Sequence, residues 1–275
     1  MHDPFLGSEA IKAGTLTRGA LRWNYTSLLP DVYIHKDGRI TTWVRAQAAW
    51  LWTGRRGVIA GRTAAALAGV KSVDPCAPIE IIAPPRRTQP GIIVRNERID
   101  GDEIDPDGVP PRTNAARTAF DIARRLPLKE AIVILDQLAA IADITPADVE
   151  PLQHRYQGAR GTWEARDAIR MMDAGSRSPE ESLLRLSLLQ SGLPPPQTHI
   201  EISEELWDSA IAMGWPDARV GVEWGPHRRA IHLDVKFRHL LYERGWILIE
   251  AMPNKRVGFT IEKCWRALRR RGAVR

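Results

Sequence analysis

Cysteine is nearly absent. Cys76 and Cys264 are the two in 275 residues, and their spacing matches no metal-ligand pattern. No disulfide framework organises the chain, and the simplest expectation is two free thiols in a reducing cytosol. Lysine is scarce too, 7 against 32 arginines. A GC-rich genome produces that bias, and it carries little functional weight. Long apolar runs are missing. The longest, 131–142, is broken by Asp136 and is too short to span a bilayer, so no membrane partner is expected. Met1-His2-Asp3-Pro4 has no basic region leading into an apolar stretch, which predicts no secretion signal and a cytoplasmic location. Internal repeats and low-complexity segments are absent as well.

What is present is an ordinary globular composition with an uneven charge. The 44% of hydrophobic residues suffices for a sizeable core, and 275 residues leave room for two domains. The net charge is +6, yet residues 226–275 carry 13 Lys/Arg against 4 Asp/Glu. The first 225 residues are therefore slightly acidic. A basic C-terminal fifth is either a solvated helix face or a surface that attracts nucleic-acid phosphates, and the two readings are evenly matched at this point.

Local patterns divide the chain. Ser8–Gly14 reads as a short helix closed by glycine, and Thr17–Arg22 as a second. Leu29–His35 reads as a strand and Lys36–Arg39 as a turn. Two short helices and a hairpin-like wing fit a reduced winged helix over 1–40. Thr41–Trp52 is helical, with Trp43, Ala46 and Ala49/Trp50 on one face, so its tryptophans are expected in the core. Gly61–Val70 is a second, alanine-rich helix. Ile79–Ala83 and Ile92–Arg95 are strands flanking the turn Pro84-Pro85-Arg86-Arg87, whose arginines are expected to be exposed. Gly101–Pro111 is an acidic loop. Asn114–Arg125 and Leu128–Ile141 are helices, and Thr145 caps another with Pro146 at its first position. Ser176–Pro179 is the expected boundary, giving a middle domain over 41–175 and a C-terminal domain over 176–275.

The C-terminal stretch carries the most specific motifs. Ser178-Pro179-Glu180-Glu181-Ser182 opens a helix. Gly192–Thr198 (Gly-Leu-Pro-Pro-Pro-Gln-Thr), Gly214-Trp215-Pro216-Asp217, Val222-Glu223-Trp224, Asp234 and Gly245-Trp246 follow in order. With Gly7–Ala10, Leu16–Gly19, Pro30–Tyr33 and Ala115–Asp121, these motifs make the whole chain resemble actinobacterial proteins related to AbiEi-type antitoxins. In that family a winged-helix region and a middle domain precede a Vsr-like domain of the restriction-endonuclease, or PD-(D/E)XK, fold. The resemblance implies an α+β protein: a winged-helix-like N-terminal region, an α/β middle domain and a restriction-endonuclease-like α/β domain. It implies double-stranded DNA and a cognate toxin as partners.

Carried over by position, the resemblance places the helix glutamate of the nuclease site at Glu181, the strand glutamate at Glu223 and a late histidine at His227. Asp234 stands at the position of the family's following helix Asp. Two expected aspartates fall on Ala212 and Gly225, and an expected arginine falls on Glu250. A hydrolytic Mg²⁺ site needs two or more hard carboxylate ligands. Here Glu181 and Glu223 are the candidate ligands, and His227 is the candidate acid or base. Each also has a structural reading. Ser178-x-x-Glu181 is a capping box, and Glu181 with Arg185 is an i, i+4 pair. Glu223 is a strand-end carboxylate suited to an ion pair. Asp208 and Asp217 are too far along the chain to replace the missing aspartate, and Asp234 suits a helix N-terminus.

Phosphate contacts are expected from Arg228, Arg229, Lys236, Arg238, Arg266, Arg269 and Arg270, with Lys263, Arg271 and Arg275 in the same tail. Arg18 and Arg22 are the candidates on the second N-terminal helix. The leading expectation is a DNA-binding protein whose nuclease-fold domain has impaired or lost metal-dependent catalysis. An active Mg²⁺-dependent endonuclease with a rearranged ligand set is the alternative. A protein-binding antitoxin or transcriptional autoregulator that uses the nuclease fold only as a surface is the third reading.

Overall fold

The computed structural model describes residues 3–204, 207–225, 231–253 and 255–274; of 203–204, 207–209 and 231–233 it describes the backbone alone. The fold class is α+β, with eleven α-helices and three small sheets among the described residues. The chain divides into two compact units. One holds 1–126 and 141–170, the other 127–140 and 171–275.

The N-terminal unit opens with β1 (Phe5–Leu6), α1 (Gly7–Lys12), α2 (Arg18–Asn24), β2 (Tyr25–Leu29) and β3 (Val32–His35), the strands pairing in the order β1-β3-β2. Thr17 caps α2 by accepting from Ala20 N. The chain reverses at Pro30-Asp31, inside the stretch that pattern reading takes as one strand. Asp31 adopts φ 64° there, and its carboxylate accepts from Ser8 N at 2.8 Å and from Ser8 Oγ at 2.5 Å.

Thr41 caps α3 (Thr42–Trp52), and β4 (Val58–Ile59), α4 (Gly61–Leu67), β5 (Ile79–Ile82) and β6 (Ile92–Arg95) follow. In α3 Trp52 is buried, while Trp43 reaches solvent, contrary to the expectation for that residue. β5 and β6 pair in parallel, Ile79 opposite Ile92, so the Pro84–Arg87 turn starts a crossover. Arg86 is not a free surface cation. It donates to the Trp52 and Thr53 carbonyls at the end of α3 and stacks on the Trp52 ring.

The chain continues with α5 (Ala115–Arg125), α6 (Leu128–Ala142), α7 (Pro146–Arg155) and α8 (Thr162–Arg170). The Ala115–Asp121 motif forms an ionic core in the N-terminal unit. Arg117, 1% exposed, pairs with Glu103 and with Asp121, and its guanidinium lies 4.8 Å from the Tyr156 ring centroid. Tyr156 Oη donates to Glu103 at 2.7 Å, and Arg155 donates to Glu103 and Asp102.

A second buried carboxylate, Glu80, is held between Arg62 at 3.0 Å and Arg95 at 2.7 Å. Gly61 must be glycine beside it: its φ is +55°, and a Cβ would meet Glu80 Oε2 at 2.7 Å. Burial alone would raise the Glu80 pKa, but Arg95 and then Arg62 override it and hold the carboxyl below its usual 4.5. A depressed folded value means the stabilisation is present above the unfolded value and is lost as pH falls through the folded one. The stability difference between wild type and Glu80→Gln, read by urea denaturation, is therefore expected to be largest near neutrality and to shrink below the usual carboxylate range. A difference independent of pH would refute this role for the carboxylate.

The C-terminal unit holds most of α6, then α9 (Pro179–Gln190), β7 (Gln197–Glu204), β8 (Trp207–Trp215), β9 (Val220–Trp224), α10 (Ile231–Glu243), β10 (Ile247–Ala251) and α11 (Val257–Arg270). Its sheet has the order β10-β9-β8-β7, with β7, β8 and β9 antiparallel in turn and β10 parallel to β9. α9 and α11 cover one face, where Leu184, Leu188, Cys264 and Leu268 meet Met213, Val220, Val222 and Ile249. α10 covers the other, through Phe237, Leu240 and Leu241 against Ile200, Ile202 and Ile211. Burial in the first core pushes the Cys264 thiol up to about 12, and both cysteines are free. Among the described residues no helix is long and apolar enough to cross a membrane.

Arg185 on α9 is the buried cation of this unit. Its Nη2 donates to both oxygens of Asp136 on α6 at 2.9 Å and to the Met171 carbonyl at 2.5 Å. Asp136 also accepts from Asp173 N at 2.9 Å and is hydrogen-bonded by Ser182. This cluster explains why α6 groups with the C-terminal elements although it precedes the Ser176–Pro179 segment by more than thirty residues.

Candidate nucleic-acid interface

The sheet of the C-terminal unit brings Glu223 and Glu250 together and ends one of its ladders beside Ala212. The β8–β9 ladder ends at Met213 opposite Val222, so Ala212 and Glu223 each lie one residue beyond its end. β10 continues alongside β9, with Glu250 directly opposite Glu223. Val222 and Trp224 pack on the α9/α11 face, so Glu223 between them projects to the α10 side by strand alternation. Glu250, between Ile249 and Ala251, does the same, and it ion-pairs there with Arg238 of α10. Two carboxylates therefore stand side by side on β9 and β10, facing α10. One residue past β9, Gly225 has φ +75°, a left-handed conformation that glycine adopts freely, and donates to the Ala251 carbonyl at 2.8 Å.

Glu181 enters from the other layer. It is buried at the start of α9, which packs on the opposite face from α10. Ser178 accepts from Glu181 N at 3.3 Å, as a capping serine should. The reciprocal bond is shifted by one residue: Glu181 Oε2 accepts from Arg177 N at 2.8 Å. Arg177 in turn reaches His199 Nε2 at 2.9 Å, on β7 between Thr198 and Ile200, which pair with Met213 and Ile211 of β8. The start of α9 is thus fastened to β7.

The one group of three potential metal-binding side chains among the described residues is elsewhere, at Asp100, Asp102 and Glu103. Arg155 and Arg117 already bind those carboxylates, which makes them part of the ionic core.

The cations gather at the β10 edge. A groove of about 420 Å³ is lined by Arg238, Lys263, Arg266 and Arg270, with Glu250 and the β10 residues Ile247–Ile249 at its floor. Lys263, Arg266 and Arg270 share one face of α11 because they recur at helical spacing. Ala267, also at the groove, turns partly to the core and anchors that face. Two of the four cations form ion pairs among the described residues. Arg238 donates to Asp234 at 2.7 Å as well as pairing with Glu250, and its pKa is raised chiefly by the Asp234 bond. Arg266 pairs with Glu262 at 2.7 Å in an exposed contact of small energetic weight.

Of the other expected phosphate contacts, Arg269 lies on another side of α11 and stacks on Trp265. Lys236 is exposed on α10 but is not a groove residue. Arg271 donates to the Gly245 carbonyl. His227, Arg228, Arg229 and Arg275 lie outside the described residues, as does the side chain of Asp208. In the N-terminal unit Arg18 and Arg22 are both exposed on α2. Trp23, 74% exposed, joins them there and was not singled out by pattern reading. Its signal is its place beside Arg22, one helical turn from Gly19 and opposite the buried Leu21.

No family model matches the chain. Two proteins of Mycobacterium tuberculosis, Uncharacterized protein MT2308 and Uncharacterized protein Rv2248, are each 25% identical to it over 239 residues, spanning 80% of this chain and 87% of their own length. Among solved structures, the crystal structure of RV2827C protein from Mycobacterium tuberculosis is 14% identical, covers 72% of this chain and 79% of its own, and has a TM-score of 0.42.

Proposed function

We propose that the chain binds double-stranded DNA and that its C-terminal unit is a restriction-endonuclease-like framework whose metal-dependent cleavage is lost or impaired. The groove that gathers Arg238, Lys263, Arg266 and Arg270 around the β10 edge carries this reading. Cations at fixed spacing on a rigid helix suit phosphates, and such contacts bind without reading sequence. The order helix, three antiparallel strands, helix and a parallel strand supports the nuclease-like framework. The arrangement of β1, α1, α2 and the β2–β3 hairpin supports a winged-helix-like N-terminal region, with Arg18, Arg22 and Trp23 on its outward face.

The residues present do not fit a resident Mg²⁺. Ala212 offers no side-chain oxygen, Gly225 none, and the Glu250 carboxylate is engaged by Arg238. One oxygen of Glu181 caps the start of α9. A hydrolytic Mg²⁺ site needs several carboxylate oxygens facing one point, and the neighbour of Glu223 on β10, Glu250, is already held by a cation. The competing reading, an active endonuclease with a rearranged set, is favoured by a single observation: Glu223 and Glu250 stand side by side on parallel strands.

Incubation of the protein with supercoiled plasmid in Mg²⁺ or Mn²⁺, followed by electrophoresis before and after deproteinisation, separates the two. The expected result is retarded DNA that returns to intact supercoiled plasmid once protein is removed. Nicking that disappears in Glu223→Ala would establish the active enzyme instead.

A further inference from the structure

Phe259 sits in the first turn of α11 and is 47% exposed, outside the core clusters of its unit. Two ammonium groups flank its ring: Lys255 Nζ at 5.5 Å and Lys263 Nζ at 4.8 Å from the centroid. Lys263 is also one of the groove cations. Phe259, Lys263, Arg266 and Arg270 recur at i, i+4, i+7 and i+11, so they form one stripe about 16 Å long at 1.5 Å per residue. A Cβ added at Gly258 would meet nothing within 4 Å, so the surface beside the ring is open.

An exposed aromatic at the end of a cationic track is the chemistry that holds single-stranded nucleic acid. Phosphates follow the arginines, and an unstacked base lies on the ring, every base having a face to offer. The flanking ammonium groups keep a hydrophobic ring soluble and bring phosphate-binding charge to the same place. A duplex offers no unstacked base inside its helix, so it can use the arginines and not the ring.

We infer that the α11 stripe is a single-stranded DNA site, with Phe259 the platform on which a base stacks. The inference rests on the reading of the groove as a phosphate-binding surface and names a ligand class for it.

The test uses the full chain and three fluorescent probes of equal length: an oligo-dT strand, an abasic strand with the same phosphates, and a duplex. Phe259→Ala is expected to weaken oligo-dT binding by between about fivefold and about 150-fold, the range of one base–aromatic stack. Binding to the abasic strand and to the duplex is expected to change by less than about twofold, and the salt dependence for oligo-dT to stay as it was, because no cation is removed. Phe259→Trp should restore oligo-dT binding. Thermal unfolding serves as the control for folding, and the exposure of the ring predicts an unchanged midpoint. Equal effects of Phe259→Ala on all three probes, or no effect on oligo-dT, would overturn the stacking role while leaving the phosphate track intact. Failure of the wild type to bind even the abasic strand and the duplex at low salt would instead remove the reading on which it rests.

Discussion

Replacing Lys263, Arg266 and Arg270 together by alanine is expected to lower duplex affinity about 500-fold at 0.1 M salt. Counterion release makes affinity scale with salt concentration to a power of about −0.9 per neutralised phosphate, which is about eightfold per contact at 0.1 M and multiplies over three. The slope of log affinity against log salt should flatten by about 2.7 at the same time. The three side chains are exposed and line one groove, so the variant should fold as the wild type does. Arg269→Ala, on another side of the same helix and stacked on Trp265, is the matched control and should leave the slope nearly unchanged. A triple variant that binds like the wild type would move the interface away from α11.

The second large effect involves none of the groove residues. Asp136→Ala is expected to destabilise the C-terminal unit by about 3–5 kcal/mol, the usual cost of stranding one member of a buried ion pair. The substitution takes from Arg185 its bidentate partner and from Asp173 N its acceptor, in a place with no access to water. The pair itself is not a large net stabiliser. Burial pushes the Asp136 carboxyl above its ordinary pKa even though Arg185 and Ser182 act to lower it. Hence the double change Asp136→Leu with Arg185→Met should recover most of the loss, because well-packed apolar groups replace buried ion pairs at little cost. Asp136→Asn keeps an oxygen toward Arg185 and should fall between. Urea denaturation of the four proteins decides the matter; equal stability of Asp136→Ala and wild type would show that the pair is dispensable.

The same ion pair shows where sequence reading stops. Helices whose ends carry their own chemistry were legible. Thr41, Asn114, Thr145 and Ser178 each open a helix at the expected place, because a capping side chain acts on backbone within three residues. Features that depend on distant partners were not. The grouping of α6 with the C-terminal elements depends on a contact 49 residues apart in sequence. The turn at Pro30-Asp31 depends on Ser8, and the parallel pairing of β5 with β6 on a crossover with no local mark. α8 buries Ala165, Ala168 and Ile169 on one face opposite its charges, but that stripe is short and built mostly of alanine, a weak apolar signal.

At the candidate interface the arginines and lysine of the tail were legible as charge, but not which of them share a face with β10. Arg269 differs from Arg266 and Arg270 only by helical phase. Helical phase would also have picked out Phe259, four residues before Lys263. The alternation in Val220–Trp224 says that Glu223 faces away from the residues on either side of it. That it stands next to Glu250 depends on a parallel register between strands separated by the whole of α10.

Fluorescence anisotropy of a labelled duplex, titrated with the wild-type chain across a series of salt concentrations, bears most directly on the groove as a DNA-binding surface. Four cations set against one carboxylate predict saturable binding at low salt that weakens with a log–log slope of about −3. Affinity indifferent to salt, or no binding at about 50 mM salt where such contacts are strong, would contradict it.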